Sequence, residues 1–347
     1  MTRFGAVDCG TNSIRMLITD VRRDVDGVLE LTELHRVMEI VRLGEGVDAT
    51  GRLADAALER VRGALTRYAE LMRAEGVEAV RMVATSASRD ASNRDEFFAM
   101  TREILAEWGV EAQVISGDEE AALSFRGAVD DLHPEEGPFC VIDVGGGSTE
   151  VIVGDYDGAV HGALSVPMGS VRLTERFLVD SPPTAKQVDA ARRYVADQAE
   201  RVREAVPLAG ARTIVGCAGT YTTLSALAQG LETYDPTAIH LSTLRFDALR
   251  SLNQSVLDTD RRTLAENPVM HPGRADVFAG GVIVIDGLMD MFEAVNAEAQ
   301  AQAKSRDKAS GRAPRAGVPL EFHVSEKDIL DGIVAGLVDE KLARAPQ

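Results

Sequence analysis

Two segments of this chain, 135 residues apart (143 − 8), carry the same order of residue types. In each, an apolar run ends at an aspartate, a glycine turn with hydroxyl side chains follows, and a second apolar run begins. The first segment reads Asp8-Cys9-Gly10-Thr11-Asn12-Ser13, and the second reads Asp143-Val144-Gly145-Gly146-Gly147-Ser148-Thr149-Glu150. The pattern predicts a strand, a tight turn and a second strand, present twice.

The composition of these turns suits phosphate binding. Glycines allow several backbone N–H groups to converge on one anion, and the Ser and Thr hydroxyls add donors. The aspartate at the end of the strand can hold a divalent cation that accompanies the phosphate. One such turn is as readily an ordinary hairpin, but two turns with the same Asp-x-Gly offset favour a phosphate site. Facing each other across a cleft, they would hold a phosphate chain from both sides.

Composition excludes several classes of protein. A net charge of −18 argues against a nucleic-acid partner, and no apolar run approaches the roughly 18 residues that a membrane span needs. No lysine precedes Lys186 and no Walker-type Gly-Lys-Ser/Thr loop occurs, which excludes a P-loop enzyme. The first residues lack signal-peptide anatomy, and three cysteines fit a reducing compartment. We therefore expect a cytoplasmic protein.

The 347 residues suggest about two domains, and the apolar periodicity repeats accordingly. In the first half we predict strands over 3–8, 14–20, 28–34 (extended towards 40), 79–84 and 111–115, and helices over 54–75, 94–108 and 118–129. After a linker at 133–138 we predict strands over 139–143, 149–154, 159–166, 212–216 and 320–324, and helices over 184–205, 219–229, 244–257, 274–294 and 329–343.

This order predicts two related α/β domains, residues 1–128 and 129–325, with a cleft between them. The final helix, within 326–345, is expected to pack back onto the first domain. Residues 296–317 are rich in Ala, Gln, Lys, Ser and Arg, and we predict that they form a flexible insert of the second domain.

Residues 8–13, residues 143–150 and the element Ser116-Gly117-Asp118-Glu119-Glu120-Ala121 together resemble motifs of the Ppx/GppA phosphatases. That family comprises exopolyphosphatases and guanosine pentaphosphate phosphohydrolases, and the resemblance covers nearly the whole chain. It implies an α/β actin-like ATPase superfold with two ribonuclease-H-like domains flanking a cleft. It also implies a hydrolase that uses Mg²⁺, with Mn²⁺ as the alternative, and that could form a homodimer.

The resemblance assigns roles to particular residues. Glu120 would orient and deprotonate the attacking water, although from the residues alone an acidic pair at a helix start is better explained by the helix dipole. The metal ligands would be Asp143, Glu150 and Asp8. The phosphate-binding residues would be Gly10, Thr11, Asn12, Ser13, Arg15, Arg89, Gly145, Gly146, Gly147, Ser148, Thr149 and Arg274.

The sequence departs from the family pattern at two places. Ala122 stands where the family often has Arg, and Arg126, one helical turn later, is a candidate substitute. The late family element Ser-x-x-x-Leu-Arg-Glu-Gly appears as residues 325–332 without its Arg. Longer members carry further C-terminal helical domains, so this chain resembles a short form.

Four functions remain open at this point. The favoured one is a Mg²⁺-dependent exopolyphosphatase that releases orthophosphate from the ends of inorganic polyphosphate, with a preference for short chains. The alternative is guanosine pentaphosphate 5′-phosphohydrolase, which uses the same machinery. A kinase or ATPase of the same superfold, or a non-catalytic sensor of polyphosphate or of the guanosine nucleotide, is less favoured.

Overall fold

The structure is a computed structural model that describes residues 2–23, 28–310 and 317–344. The chain divides into two compact units. Unit 1 comprises Met1–Gly127 and Lys327–Gln347, and unit 2 comprises Ala128–Glu326. The chain therefore leaves unit 1 after α5 and returns to it for the last helix.

Unit 1 is built on a five-stranded mixed sheet with the order β3-β2-β1-β4-β5. Strands β1, β2 and β3 form an antiparallel meander, and β4 and β5 continue parallel to β1. Its elements are β1 (Thr2–Cys9), β2 (Ser13–Arg23), β3 (Leu29–Ile40), α1 (Val47–Thr50), α2 (Asp55–Ala74), β4 (Ala79–Ala84), α3 (Ser86–Asp90), α4 (Arg94–Ile104), β5 (Gln113–Val114), α5 (Gly117–Ala128) and, at the end of the chain, α13 (Ile329–Arg344).

Helices cover both faces of this sheet, which is why β1 is buried from Phe4 to Cys9 rather than alternating between buried and exposed. On one face, Val61, Leu65 and Met72 of α2 follow the three-and-four spacing of an amphipathic helix and pack on the sheet. On the other face α13 packs on the first two strands through the residues Ile329, Leu330 and Ile333 against Phe4, Ala6 and Leu17.

Unit 2 repeats this plan with one additional strand, in the order β10-β11-β9-β6-β7-β8. Without β10, the order of the other five strands matches that of unit 1, with β6 in the place of β1. The elements are β6 (Phe139–Val144), β7 (Thr149–Gly154), β8 (Val160–Val166), α6 (Ser170–Phe177), α7 (Ala185–Ala205), β9 (Thr213–Cys217), α8 (Ala218–Ala228), α9 (Pro236–Ile239), β10 (Thr243–Arg245), α10 (Phe246–Leu257), α11 (Arg261–Ala265), α12 (Pro272–Ser310) and β11 (Glu321–Val324).

The largest difference from the predicted elements concerns α12. The sequence predicted a helix ending near 294 and a flexible insert over 296–317, but the helix continues to Ser310. The segment is rich in Ala, Glu, Gln, Lys and Arg, which are strong helix formers, so polarity alone was a poor reason to end the helix. Residues 311–316 lie outside the described part of the chain. Among the described residues, no helix is both long enough and apolar enough to cross a membrane.

Candidate active site

The two glycine turns have the same backbone geometry. The N–H of Gly10 donates to the carbonyl of Ser13 at 2.9 Å, and the N–H of Gly145 donates to the carbonyl of Ser148 at 3.0 Å. We call residues 10–13 loop 1 and residues 145–148 loop 2. Loop 1 connects β1 to β2 and loop 2 connects β6 to β7, so the offset of 135 in the sequence is also an equivalence in the fold.

Loop 1 is held from behind by the segment that follows β3. The N–H groups of Val41 and Arg42 donate to the carbonyl of Asn12 at 3.0 and 2.8 Å, and that of Gly44 donates to the carbonyl of Thr11 at 2.8 Å. Arg42 reaches this position with φ 48°, a left-handed conformation that is costly for a residue with a side chain. The carbonyl groups of Thr11 and Asn12 therefore accept hydrogen bonds from within the protein.

Loop 2 is held in the same way by the first turn of α6. The N–H of Val171 donates to the carbonyl of Gly146 at 2.9 Å, and the Arg172 Nε donates to the carbonyl of Gly147 at 2.8 Å. A Cβ at Gly169 would lie 2.3 Å from the Gly146 carbonyl carbon, so only glycine permits this close approach. No residue in the described ranges accepts a hydrogen bond from the N–H of Gly146 or Gly147. With the carbonyls anchored behind, loop 2 has the form of an anion nest.

The residue that faces the aspartate differs between the two hairpins. Asp143 pairs directly with Glu150 across β6 and β7, and both side chains are buried. Ser165 on β8 donates its hydroxyl to Glu150 Oε1 at 2.6 Å, which fixes the orientation of that carboxylate. Like charges placed opposite each other on neighbouring strands repel, so a cation bound beside this pair would stabilise it.

The donor set suits Mg²⁺. Carboxylate oxygens are its preferred protein ligands, and Mg²⁺ commonly takes one or two carboxylates while phosphates and waters complete its coordination. Within the described ranges no group of three or more His, Cys, Asp or Glu side chains could hold a metal ion by itself. Asp143 and Glu150, next to the nest of loop 2, fit an ion that arrives with a phosphorylated substrate.

Asp8, the equivalent of Asp143, faces a cation of the protein instead. Arg15 is its cross-strand partner, and the Arg15 Nε and Nη2 donate to Asp8 Oδ2 at 3.1 and 2.7 Å. The Arg15 Nη1 donates to Asp328, which lies just before α13. Burial raises the pKa of the Asp8 carboxyl above its ordinary value, and Arg15 partly opposes this. The charge of Asp8 therefore depends on its contact with Arg15.

The two glutamates at the start of α5 have different surroundings. Glu120 is buried, and Arg89 Nη1 donates to Glu120 Oε2 at 2.7 Å and to the carbonyl of Ile115 at 2.9 Å. Glu119 is nearly half exposed and accepts from Arg81 at 2.6 Å. Since adjacent helical residues point in different directions, only Glu120 has the restrained setting expected of a general base.

A sequence model of the Ppx/GppA phosphatase family matches residues 21–304. The chain belongs to the Ppx/GppA phosphatase family. It is 49% identical over 339 residues to a Mycobacterium tuberculosis protein named exopolyphosphatase 2, covering 97% of this chain and 99% of that one. The prediction of a phosphoanhydride hydrolase of this family is thereby confirmed.

Solved structures support the same assignment. The crystal structure of an exopolyphosphatase-like protein superimposes with a TM-score of 0.83 at 36% identity, covering 98% of this chain and all of that chain. A Ppx/GppA family member from Aquifex aeolicus gives a TM-score of 0.74 at 27% identity, with 98% of both chains covered. The predicted α/β actin-like ATPase superfold is confirmed.

Besides Arg89, three side chains that the Ppx/GppA resemblance assigned to phosphate make contacts within their own unit. Arg15 binds Asp8 and Asp328, as described above. The Thr149 hydroxyl donates to the carbonyl of Met168 at 2.6 Å. Arg274 Nη1 donates to the carbonyl of Gly219 at 3.0 Å and to Thr223 Oγ1 at 2.8 Å, which ties α12 to α8. The phosphate contacts proposed for these three residues stay predictions.

Two residues near the loops were missed from the sequence. Arg172 braces Gly147, and its position three residues after the glycine that packs on loop 2 is a usable local signal. Asp328 contacts Arg15 across 313 residues of sequence, and no local pattern indicates such a contact. Arg126, the candidate substitute for the missing family Arg, forms an ion pair with Asp339 of α13 at 2.8 Å on the surface.

Proposed function

We propose that this protein is an exopolyphosphatase that hydrolyses the terminal phosphoanhydride bond of inorganic polyphosphate and releases orthophosphate. The observation that carries the proposal is loop 2, where an anion nest adjoins the buried acidic pair Asp143 and Glu150. The name of the Mycobacterium tuberculosis relative supports polyphosphate as the substrate.

In this mechanism the N–H groups of Gly146 and Gly147 bind the terminal phosphate, and Ser148 adds its hydroxyl. Asp143 and Glu150 would hold Mg²⁺, which when bound neutralises charge on the phosphoryl group. Phosphoryl transfer needs positioning and electrostatic stabilisation more than covalent chemistry, and loop 2 offers both.

Glu120 takes the proton of the attacking water. Arg89 Nη1 donates both to Glu120 Oε2 and to the carbonyl of Ile115, the residue after β5, so the Glu120 carboxylate has a fixed orientation. A general base of this kind contributes roughly 10²- to 10⁴-fold to a rate. Arg89 is thus a positioning residue for the base as well as a candidate phosphate ligand.

The test compares Glu120→Gln with Glu119→Gln. Orthophosphate release is measured with Mg²⁺ from tripolyphosphate, long-chain polyphosphate and guanosine pentaphosphate. We expect polyphosphate turnover in the wild type, a loss of at least about a hundredfold in Glu120→Gln, and nearly wild-type turnover in Glu119→Gln. Faster release of orthophosphate from guanosine pentaphosphate than from polyphosphate would contradict polyphosphate as the substrate. Equal activity of Glu120→Gln and Glu119→Gln would contradict Glu120 as the general base.

A further inference from the structure

The N-terminal end of α13 lies over the loop 1 end of the first hairpin. In β1 and β2, the cross-strand pairs Ala6–Leu17 and Asp8–Arg15 follow one another on the sheet face that α13 covers. The apolar pair packs against α13, and the charged pair lies nearer to loop 1. This places Asp328, the residue before α13, within reach of Arg15.

The Arg15 guanidinium joins two buried carboxylates. Its Nε and Nη2 donate to one oxygen of Asp8, and its Nη1 donates to Asp328 Oδ2. Asp8 Oδ1 is buried and accepts no hydrogen bond from any residue in the described ranges. A buried carboxylate oxygen without a donor costs on the order of 1–3 kcal/mol, so a donor supplied at Oδ1 by a water or a ligand would be stabilising.

Asp328 is itself rigidly held. Its Oδ1 accepts from the N–H of Leu330 at 3.2 Å, and its own N–H donates to Asp331 Oδ2 at 3.0 Å. A Cβ at Gly127 of α5 would lie only 1.9 Å from the carbonyl oxygen of Asp328. The close packing of α5 and α13 therefore fixes the position of Asp328.

We propose that Asp328 is a positioning residue that acts through Arg15 on Asp8. By taking one end of the guanidinium, Asp328 orients Arg15 so that it binds only Oδ2 of Asp8. Oδ1 is then left to accept a hydrogen bond from a water that enters with the substrate and its Mg²⁺. This inference rests on the proposed function, since it deepens the role of loop 1 in that reaction.

A second ion pair on α13 provides a matched control. Arg36 on β3 donates to Asp331 at 2.7 and 3.2 Å, so it also joins the sheet of unit 1 to α13. Arg36 donates to Glu33 and Asp331, and within the described ranges no hydrogen bond or ion pair joins it to Asp8 or Arg15. Replacing Arg36 leaves Asp331 in place to accept from the N–H of Asp328, so it should weaken the attachment of α13 without removing any contact of Arg15 or Asp8.

The experiment compares Asp328→Asn with Arg36→Gln in the full chain. Binding of Mg²⁺ together with imidodiphosphate, a non-hydrolysable phosphate chain, is measured by calorimetry alongside kcat and KM for tripolyphosphate. Substitution of a residue that orients a ligand typically costs 10- to 100-fold in metal affinity or activity. We expect a loss of about tenfold or more in Mg²⁺-dependent binding and in kcat for Asp328→Asn, with Arg36→Gln within about twofold of wild type.

Equal effects of the two variants would overturn the proposal, because they would show a purely structural attachment of α13. Asp328→Glu keeps the carboxylate and should recover part of the loss. If Asp328→Asn does not fold, Asp328→Glu takes its place in the comparison with Arg36→Gln. In that comparison, a Glu variant that binds and turns over substrate as Arg36→Gln does would contradict the proposal. If the wild type releases no orthophosphate from any substrate, the proposed function fails. The calorimetric comparison then still decides the role of Asp328.

Discussion

Loop 1 and loop 2 share a backbone and differ in their charges. Both follow a buried strand that ends at an aspartate, both close with the same Gly-to-Ser hydrogen bond, and both are braced by the segment after the third strand. At the position opposite the aspartate, loop 1 has Arg15 and loop 2 has Glu150. A single cross-strand position thus separates a neutral pair from a pair of acids.

The difference shows how the same strand–turn–strand hairpin, present in both units, can serve two different roles. In unit 1 the Asp8 charge is balanced within the chain by Arg15, and the packing of α13 supplies a second carboxylate, Asp328, to that same Arg15. In unit 2 the equivalent cross-strand pair consists of two acids, Asp143 and Glu150, which we propose as the ligands of Mg²⁺. The anchored turn is common to both units, and we expect the facing residue to set how strongly a metal ion is held at each turn.

The largest expected effect comes from removing the second acid. We predict that Glu150→Gln lowers kcat for orthophosphate release by about a hundredfold, because metal-assisted charge stabilisation is worth several kcal/mol. Raising the Mg²⁺ concentration should recover part of the activity. The measurement is a Mg²⁺ titration of orthophosphate release at saturating tripolyphosphate.

Asp155→Asn is the matched control for that variant. Asp155 follows β7, has a nearly half-exposed side chain and pairs with His161 at 2.7 Å, so its substitution removes an acid from the same hairpin region without touching loop 2. An unchanged Mg²⁺ dependence in Glu150→Gln would contradict the acidic-pair site and the comparison built on it.

The next effect concerns the internal cation of loop 1. Arg15→Met leaves Asp8 and Asp328 buried without their shared partner, and breaking a buried ion pair from one side costs about 3–5 kcal/mol. The single tryptophan, Trp108, lies in unit 1 and donates to the carbonyl of Val77, so its fluorescence reports unfolding of this unit. We predict a large fall in the urea midpoint of the Trp108 signal.

Arg67→Met provides the comparison for that loss. Arg67 pairs with Glu39, but both side chains are substantially exposed, and such pairs contribute at most about 1 kcal/mol. If Arg67→Met and Arg15→Met shift the midpoint equally, Arg15 is not the buried charge that balances loop 1.

The shared features of the two loops were accessible from the sequence because they are local. A strand–turn–strand motif is specified within about a dozen residues, and its duplication also pointed to the α/β fold class, which is confirmed. The separation of Glu119 from Glu120 likewise follows from helical geometry.

The features that distinguish the loops were less accessible because they depend on distant contacts. Nothing near Arg15 indicates that its partner is Asp328, and nothing near Thr149 indicates that its hydroxyl donates to the carbonyl of Met168. Helix α6 was also missed, since it begins at Ser170 after Gly169, which offers no side-chain cap, and its place is set by contact with loop 2. Tertiary packing settled each of these.

An intermediate effect tests how rigidly each loop is braced. A Cβ at Gly169 would lie 2.3 Å from the backbone of Gly146, whereas a Cβ at Gly44 would lie 2.3 Å from the Thr11 side-chain methyl. A side chain can rotate away but a backbone cannot, so we predict that Gly169→Ala costs about 1–3 kcal/mol and Gly44→Ala less. Thermal melting and orthophosphate release measure the two variants, and the order should be the same in both assays.

The smallest expected effect comes from making the residue that follows loop 2 resemble the residue that follows loop 1. Loop 1 is followed by Ile14 and loop 2 by Thr149, whose buried hydroxyl donates to the carbonyl of Met168. Thr149→Val keeps the shape and removes this hydrogen bond, so we predict a loss of about 1 kcal/mol of stability and little change in kcat. Ser148→Ala, one residue earlier, should instead lower activity with little effect on stability. If Thr149→Val loses activity as Ser148→Ala does, both hydroxyls serve the phosphate, and the nest of loop 2 extends one residue further than that of loop 1.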